Sequence, residues 1–108
     1  MILRIFFLLL ALTKVANATD FDLMQEIVRC ESGFRPDVWG DDGRSYGIAQ
    51  FQKATFNEFA KQAKSEMKKA HLWPAKWKNP EHQMFLLGWA IDHGKARHWT
   101  CFNKLVWD

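Results

Sequence analysis

The sequence predicts a small, mostly α-helical fold. Three segments, residues 21–32, 53–69 and 80–93, place apolar side chains at helical spacing. The chain contains no internal repeat and no strand-rich stretch. Its 108 residues correspond to one domain. We therefore expect an all-α domain whose helices are interrupted by one long loop at residues 34–46.

The first 18 residues have the features of a secretory signal peptide. A basic start at Arg4 precedes an apolar run, residues 5–12, that is too short to span a bilayer as a helix. An Ala-Asn-Ala cleavage pattern ends at residue 18. Cleavage there predicts export to the periplasm or outside the cell, a mature domain over residues 19–108, and no stable membrane insertion afterwards. An uncleaved anchor is the alternative, because Lys14 separates the apolar run from the cleavage pattern.

The charge of the mature chain argues against a nucleic-acid binder. Removing Arg4 and Lys14 lowers the formal net charge from +3 to +1. Seven of the nine remaining lysines follow one predicted helix and its exit, which indicates a solvated face rather than a basic cluster. They lie at positions 53, 61, 64, 68, 69, 76 and 78. The one function that these lysines suggest is weak attraction to anionic polymers of the cell envelope.

The first predicted helix carries a carboxylate at its end. It begins at Thr19 or Asp20 as N-cap and continues to about Ser32, after which Gly33 is a suitable C′ residue. Glu31 continues a helical row whose earlier members, Met24 and Val28, are apolar. An apolar setting raises the pKa of a carboxyl, so this position suits a carboxylic acid that stays protonated.

The loop at residues 34–46 contains acids but no recognisable metal site. Asp37, Asp41 and Asp42 lack the alternating ligand pattern of an EF-hand. The four histidines, at positions 71, 82, 93 and 98, show no zinc-binding spacing. We expect neither a metal nor a cofactor.

Two more helices follow the loop. The segment from Tyr46 to Phe51 is predicted to be a short strand or an extended turn, and one helix then runs from about residue 53 to Lys69. Asn79 and Pro80 start the next helix, which is apolar almost all round and ends near His93, so it should be central. Gly88 inside this helix predicts a close approach by another helix or a ligand.

Cys30 and Cys101 are the only cysteines. Export favours a disulfide between them, which would attach the end of the first helix to the C-terminal segment. The alternative is two buried free thiols.

Two segments together resemble a known family. Glu-Ser-Gly-Phe at residues 31–34, followed by Gly-Ile-Ala-Gln-Phe at residues 47–51 and Thr-Phe at residues 55–56, resembles the paired signature of lytic transglycosylases. These enzymes are the soluble-lytic-transglycosylase-like branch of the lysozyme superfamily. A third segment, residues 88–94 with Trp99, is similar but has Ala-Ile-Asp where many members have Ala-Tyr-Asn.

The resemblance implies a lysozyme-like helical domain with a long active-site loop. It implies cleavage of the β-1,4 bond between N-acetylmuramic acid and N-acetylglucosamine in peptidoglycan, with a 1,6-anhydro product. Glu31 would be the single acid and base, because the substrate's 6-hydroxyl replaces a second carboxylate. Glycan strands would be the partner of a monomeric enzyme.

The resemblance also implies further site residues, each with an alternative. Ser32 is expected to hydrogen-bond the acid or the sugar, or else to cap the helix. Gln50 is expected to face the cleft, and its alternative is a surface residue after a turn. Tyr46 is expected to line the cleft or to pack in the turn.

Two rival functions remain open at this point. One is a hydrolase of the same fold in which Asp41 or Asp42 positions water. The other is a cell-wall-binding module that has lost turnover, which the replaced Tyr and Asn at positions 91 and 92 favour.

Overall fold

The computed structural model describes residues 21–107. The predicted signal peptide and the predicted N-cap at Thr19 or Asp20 lie outside this range. Within it the chain is mostly helical, with one small antiparallel sheet. The predicted fold class is confirmed.

Helix α1 covers residues 21–32 of the described chain, and its Ile27 and Val28 are fully buried in the core. Gly33 ends it with a positive φ of 62°, which glycine adopts without the steric cost that a Cβ brings. The Gly33 N–H donates to the Arg29 carbonyl at 3.0 Å. Both the helix and its glycine end are as predicted, and together they place Glu31 in the last turn.

The predicted loop at residues 34–46 contains secondary structure, so that prediction was incomplete. Strand β1 is Trp39–Gly40, strand β2 is Ser45–Tyr46, and a 3-10 turn at Asp41–Gly43 joins them. Strand β3, Phe51–Gln52, pairs with β2 and completes the sheet in the order β1-β2-β3. Strands of two residues are too short to produce a readable alternation of polar and apolar side chains.

The predicted helix at residues 53–69 is two helices in the structure. Helix α2 covers Lys53–Gln62 and helix α3 covers Lys64–Lys69, with a break at Ala63 where φ is −93° and ψ is 12°. The break keeps the apolar stripe buried on both sides, at Phe59 in α2 and at Met67 in α3. No proline or glycine marks this position, so the sequence offered no signal for it.

Helix α4 covers Pro80–Asp92 and packs against α2. The Asn79 side chain accepts a hydrogen bond from the His82 N–H at 3.1 Å, which confirms the predicted N-cap. Leu86, Leu87 and Ala90 are fully buried, as expected of a central helix. A Cβ at Gly88 would lie 3.4 Å from the Met24 sulfur, so α1 is the element that approaches α4 there.

The C-terminal segment folds back onto the end of α1. A 3-10 turn, Ala96–His98, leads into helix α5, Thr100–Trp107. Cys101 in the first turn of α5 forms a disulfide with Cys30, with 5.9 Å between the two Cα atoms. The predicted crosslink is therefore present. None of the helices within residues 21–107 is long and apolar enough to cross a membrane.

Candidate active site

A cavity of about 330 Å³ opens where the end of α1, the sheet, α2 and the start of α5 meet. Polar and charged side chains dominate its wall. Its lining comprises Glu31, Asp41, Ser45, Gln50, Phe51, Gln52, Thr55, His98, Trp99, Thr100, Cys101 and Lys104. Glu31 and Gln50, which were predicted together, therefore share one cavity.

Glu31 is half-buried on this wall. One carboxylate oxygen, Oε2, accepts a hydrogen bond from the backbone N–H of Cys101 at 3.2 Å. Burial of the carboxyl raises the pKa of Glu31, because ionisation is penalised where water is excluded. The Cys101 N–H and the more weakly acting Lys104 ammonium oppose this rise, while the negative charge of Asp41 adds to it. The net effect is a raised pKa, so the protonated carboxyl is favoured.

The Cys30–Cys101 disulfide links the two segments that form this hydrogen bond. Cys30 precedes Glu31 in α1, and Cys101 supplies the N–H that binds the Glu31 carboxylate. Trp99, two residues earlier, is anchored independently, because its Nε1–H donates to the Ala49 carbonyl at 2.6 Å. The segment that contacts Glu31 is thus held at two points.

Gln50 lines the cavity, and among residues 21–107 its amide oxygen has no hydrogen-bond donor. Its backbone has a positive φ of 53°, and both hydrogens of its side-chain amide are used, on the carbonyls of Val38 and Gly47 at 2.9 Å each. Within the described part of the chain, Oε1 receives no hydrogen bond. A Cβ at Gly40 would collide with this oxygen, so a larger residue there would have to displace the amide.

Ser32 and Tyr46 do not lie on the cavity wall. The Ser32 hydroxyl is 2% exposed and donates to the Ile48 carbonyl at 2.7 Å and to the Val28 carbonyl at 3.2 Å. The hydroxyl is thus buried and engaged by two backbone carbonyls, and its expected contact with the acid or a sugar stays a prediction. The Tyr46 ring packs against Trp39 instead, at 4.7 Å between ring centres, which is its alternative prediction.

Asp41 lies on the cavity wall and Asp42 does not. Asp41 accepts a hydrogen bond from the Ser45 hydroxyl across the 3-10 turn. Asp41 and Asp42 both have positive φ, near 55°, a conformation that aspartate tolerates better than most residues. The acidic loop therefore adds one carboxylate, that of Asp41, to the cavity that contains Glu31.

Side chains from outside the signature segments hold the turn at residues 46–51. Gln83 of α4 is fully buried, and its Nε2 donates to the carbonyls of Tyr46 (2.8 Å) and Trp77 (2.7 Å). Its Oε1 accepts the Ala49 N–H at 2.9 Å. The Trp77 Nε1–H donates to the Phe51 carbonyl at 2.8 Å. These groups, with Ser32 and Trp99, bind the turn carbonyls that no helix or strand can satisfy.

Sequence reasoning missed Gln83, the Cys101 N–H and Lys104 as parts of the site. For Gln83 a signal existed, since an amide within an otherwise apolar helix must find buried partners. For the other two no signal existed, because their role depends on where α5 packs. Ile91, where many family members have tyrosine, lines a different cavity with Leu23 and Phe102, and Glu31 does not line that cavity.

Within residues 21–107, no group of three or more histidine, cysteine, aspartate or glutamate side chains is arranged to hold a metal ion. The chemistry that the cavity itself offers is a partly desolvated carboxyl, an amide oxygen and one further carboxylate. This set suits proton transfer to and from a polar, neutral ligand such as a sugar.

Comparison with known proteins places this geometry in a family. Residues 12–86 match the transglycosylase SLT domain, a family associated with cleavage of glycosidic bonds and with peptidoglycan. No curated protein matches the chain, and no solved structure matches it. The matched segment contains Glu31, Gln50 and Gln83, and it covers more than half of the sequence. The chain therefore belongs to the transglycosylase SLT domain family.

Proposed function

We propose that the protein is an exported peptidoglycan lytic transglycosylase with Glu31 as its only acid and base. It cleaves the β-1,4 bond between N-acetylmuramic acid and N-acetylglucosamine and leaves a 1,6-anhydro end. The observation that carries this proposal is the environment of Glu31. Burial raises the pKa of this half-buried carboxyl, so it holds its proton to higher pH than a free glutamate does, as a general acid requires.

The proposed reaction uses the carboxyl twice. Glu31 gives its proton to the glycosidic oxygen as the bond between that oxygen and the anomeric carbon breaks. The 6-hydroxyl of the same muramyl residue forms the new bond to the anomeric carbon and gives its proton to the Glu31 carboxylate. The acid is thereby regenerated, and no water is consumed.

Other residues would orient the substrate and the acid. The free amide oxygen of Gln50 is an acceptor for a sugar hydroxyl or N–H, because both Gln50 amide hydrogens are already used. The Cys101 N–H holds Oε2 and leaves Oε1 of Glu31 to carry the proton. Ser32 acts indirectly, since its hydroxyl attaches the end of α1 to the turn that carries Gln50.

A hydrolase of the same fold is the second candidate, and one observation favours it. Asp41 shares the cavity with Glu31, and its charge contributes to the raised pKa of Glu31. A second carboxylate in this position could activate a water molecule, as inverting glycosidases require. The two candidates differ in the sugar end that they leave, anhydro or reducing.

Mass spectrometry of purified peptidoglycan digested by the protein tests the proposal. We expect 1,6-anhydromuramyl ends from the parent protein. Glu31→Gln keeps the shape of the side chain but cannot exchange the proton, so it should abolish cleavage and leave binding to the wall intact. Glu26→Gln, on the same helix and paired on the surface with Arg29, is the matched control and should cleave normally.

Two aspartate variants separate the candidates. Asp41→Asn removes the second carboxylate of the cavity, and Asp42→Asn is its matched control outside the cavity. The transglycosylase proposal expects both variants to retain most activity. Loss of activity in Asp41→Asn, together with reducing ends from the parent protein, would establish the hydrolase. Turnover by Glu31→Gln at the parent rate would exclude both.

Export is part of the proposal and has its own test. The protein recovered from the cell envelope or medium should begin at Thr19, as read by N-terminal sequencing, and should sediment as a monomer. An N-terminus that still includes residues 1–18 would support the anchored alternative instead.

A further inference from the structure

A second exposed feature lies outside the cavity. The rings of Trp39, Tyr46 and Trp77 meet edge to face, with 4.7 Å between the ring centres of Trp39 and Tyr46 and 5.9 Å from each of them to Trp77. The Lys78 ammonium lies 5.1 to 5.9 Å from all three ring centres. We call these four residues the aromatic–lysine surface.

The aromatic–lysine surface is open to solvent and carries an unpaired charge. Trp39 is 51% exposed, which is unusual for a tryptophan beside a well-packed core. Lys78 forms no ion pair with any residue in the range 21–107, and Lys53, 6.0 Å from the Trp77 ring centre, adds a second cation at its edge. The Trp77 Nε1–H is held by the Phe51 carbonyl, so this ring is fixed.

The aromatic–lysine surface lies outside the wall of the cavity. Trp39 and Tyr46 are opposite each other in the register of β1 and β2, and Ser45 is opposite Gln52 in the next pair. Successive side chains of a strand point to opposite faces. Ser45 and Gln52 line the cavity, whereas Trp39, Tyr46 and Trp77 do not. Phe51, which is opposite Tyr46 in the register, also lines the cavity, so the rings adjoin the cavity along the sheet without forming part of its wall.

From this geometry we propose that the aromatic–lysine surface is a second binding site for a carboxylate-bearing glycan, separate from the cavity. Its occupant is a neighbouring peptidoglycan strand, not the strand that is cut. The inference rests on the proposed function for the identity of the polymer. It extends that function by adding a site that would hold the protein on the insoluble wall.

The chemistry of the aromatic–lysine surface matches such a polymer on two counts. The C–H faces of pyranose rings are apolar and stack against exposed aromatic rings, which tryptophan offers at low conformational cost. Peptide stems on the strands carry carboxylates, which complement an ammonium that has no acidic partner. None of the four residues of the aromatic–lysine surface lines the cavity, so we assign this surface to a separate strand.

Pelleting with insoluble peptidoglycan tests the proposal, with all variants made in a Glu31→Gln background so that the wall stays intact. Trp39→Ala and Lys78→Gln should each weaken binding by about fivefold to tenfold. Trp39→Tyr keeps an exposed ring and should retain most of the affinity. The matched controls are Trp73→Ala and Lys64→Gln, because Lys64 lies 5.0 Å from the Trp73 ring centre elsewhere on the surface. Both controls should bind like the parent, and melting curves should show every variant folded.

Three probes identify the occupant. Peptidoglycan should bind more tightly than chitin, which has amino sugars but no carboxylates, and Lys78→Gln should remove that difference. Equal affinity for chitin and peptidoglycan would overturn the role of the carboxylates. Stronger binding to vesicles containing anionic lipid than to peptidoglycan would assign the surface to a membrane and overturn the proposal.

A kinetic comparison separates this proposal from the proposed function. With Glu31 restored, Trp39→Ala should slow cleavage of the insoluble wall but not cleavage of soluble glycan oligosaccharides from the same wall. Equal slowing on both substrates would place Trp39 in the cleft and overturn the second site. Tight, Trp39-dependent wall binding by a protein that cleaves nothing would overturn the proposed enzyme activity and support the second site.

Discussion

Breaking the Cys30–Cys101 disulfide should change both the stability of the fold and the behaviour of Glu31. The bond spans 71 positions of the chain. In the chain-entropy model, releasing a loop of that length lowers the free energy of unfolding by about 4 kcal/mol, as an upper figure. For a domain of this size, each 1 kcal/mol corresponds to roughly 4–8 °C in Tm. We therefore expect the reduced protein to melt about 15–30 °C lower at most.

The effect on Glu31 should be partial. Cys101 supplies the N–H that lowers the pKa of Glu31, so releasing Cys101 weakens a contact that favours the ionised carboxylate. The pKa of Glu31 should then rise further, which moves the pH–activity profile toward higher pH. Trp99 still anchors the same segment through Ala49, so activity should fall without being lost.

Thermal melting and pH–rate profiles of the oxidised and reduced protein measure these two effects. The double variant Cys30→Ser, Cys101→Ser should match the reduced protein, and adding reductant to it should change nothing. A Tm shift below about 3 °C would refute the stability argument. A large Tm shift with an unchanged pH profile would show that the Cys101 contact does not tune Glu31.

Three further outcomes follow from the site geometry. Gly40→Ala should lower activity by about tenfold or more without unfolding the protein, because the new Cβ displaces the Gln50 amide. Its control is Gly88→Ala, outside the cavity wall, which should keep the parent activity in the same assay. Gln83→Met should lower the free energy of unfolding in denaturant titrations by about 2–4 kcal/mol, because it leaves the Ala49 N–H and the Tyr46 carbonyl without a partner. A loss of less than about 0.5 kcal/mol would show that these hydrogen bonds do not stabilise the turn. The raised pKa of Glu31 means that the folded state holds this proton to higher pH than the unfolded chain, so ionisation costs stability at neutral pH. Glu31→Gln should therefore raise Tm at pH 7, by an amount that shrinks as the pH falls through the raised pKa and vanishes below the usual pKa of a glutamate. An equal gain at all pH values would contradict this expectation.

The signature segments were readable because their requirements are local. A helix that ends at Gly33 places Glu31 in its last turn, and the cap at Asn79 starts α4 where the sequence indicates. The strands of the sheet could not be predicted, because a strand of two residues is too short to show an alternation of polar and apolar side chains. The direction of the Ser32 hydroxyl was not readable for a related reason, since a hydroxyl in the last turn of a helix can point to solvent or inward. Only the packing of the turn against α1 makes it buried.

By itself the sequence determined the helical class, the family signature and the candidate acid, all of which depend on spacing along a few turns of chain. Tertiary structure alone decided which groups surround that acid. Cys101, Asp41 and Gln50 reach one cavity from distant segments of the chain, and the Cys101 N–H contacts the Glu31 carboxylate there. Burial and neighbouring charge, which set the pKa of Glu31, are properties of that assembled space. Sequence spacing therefore identifies Glu31 as the candidate acid, and the packing around it sets the pH at which its carboxyl is protonated.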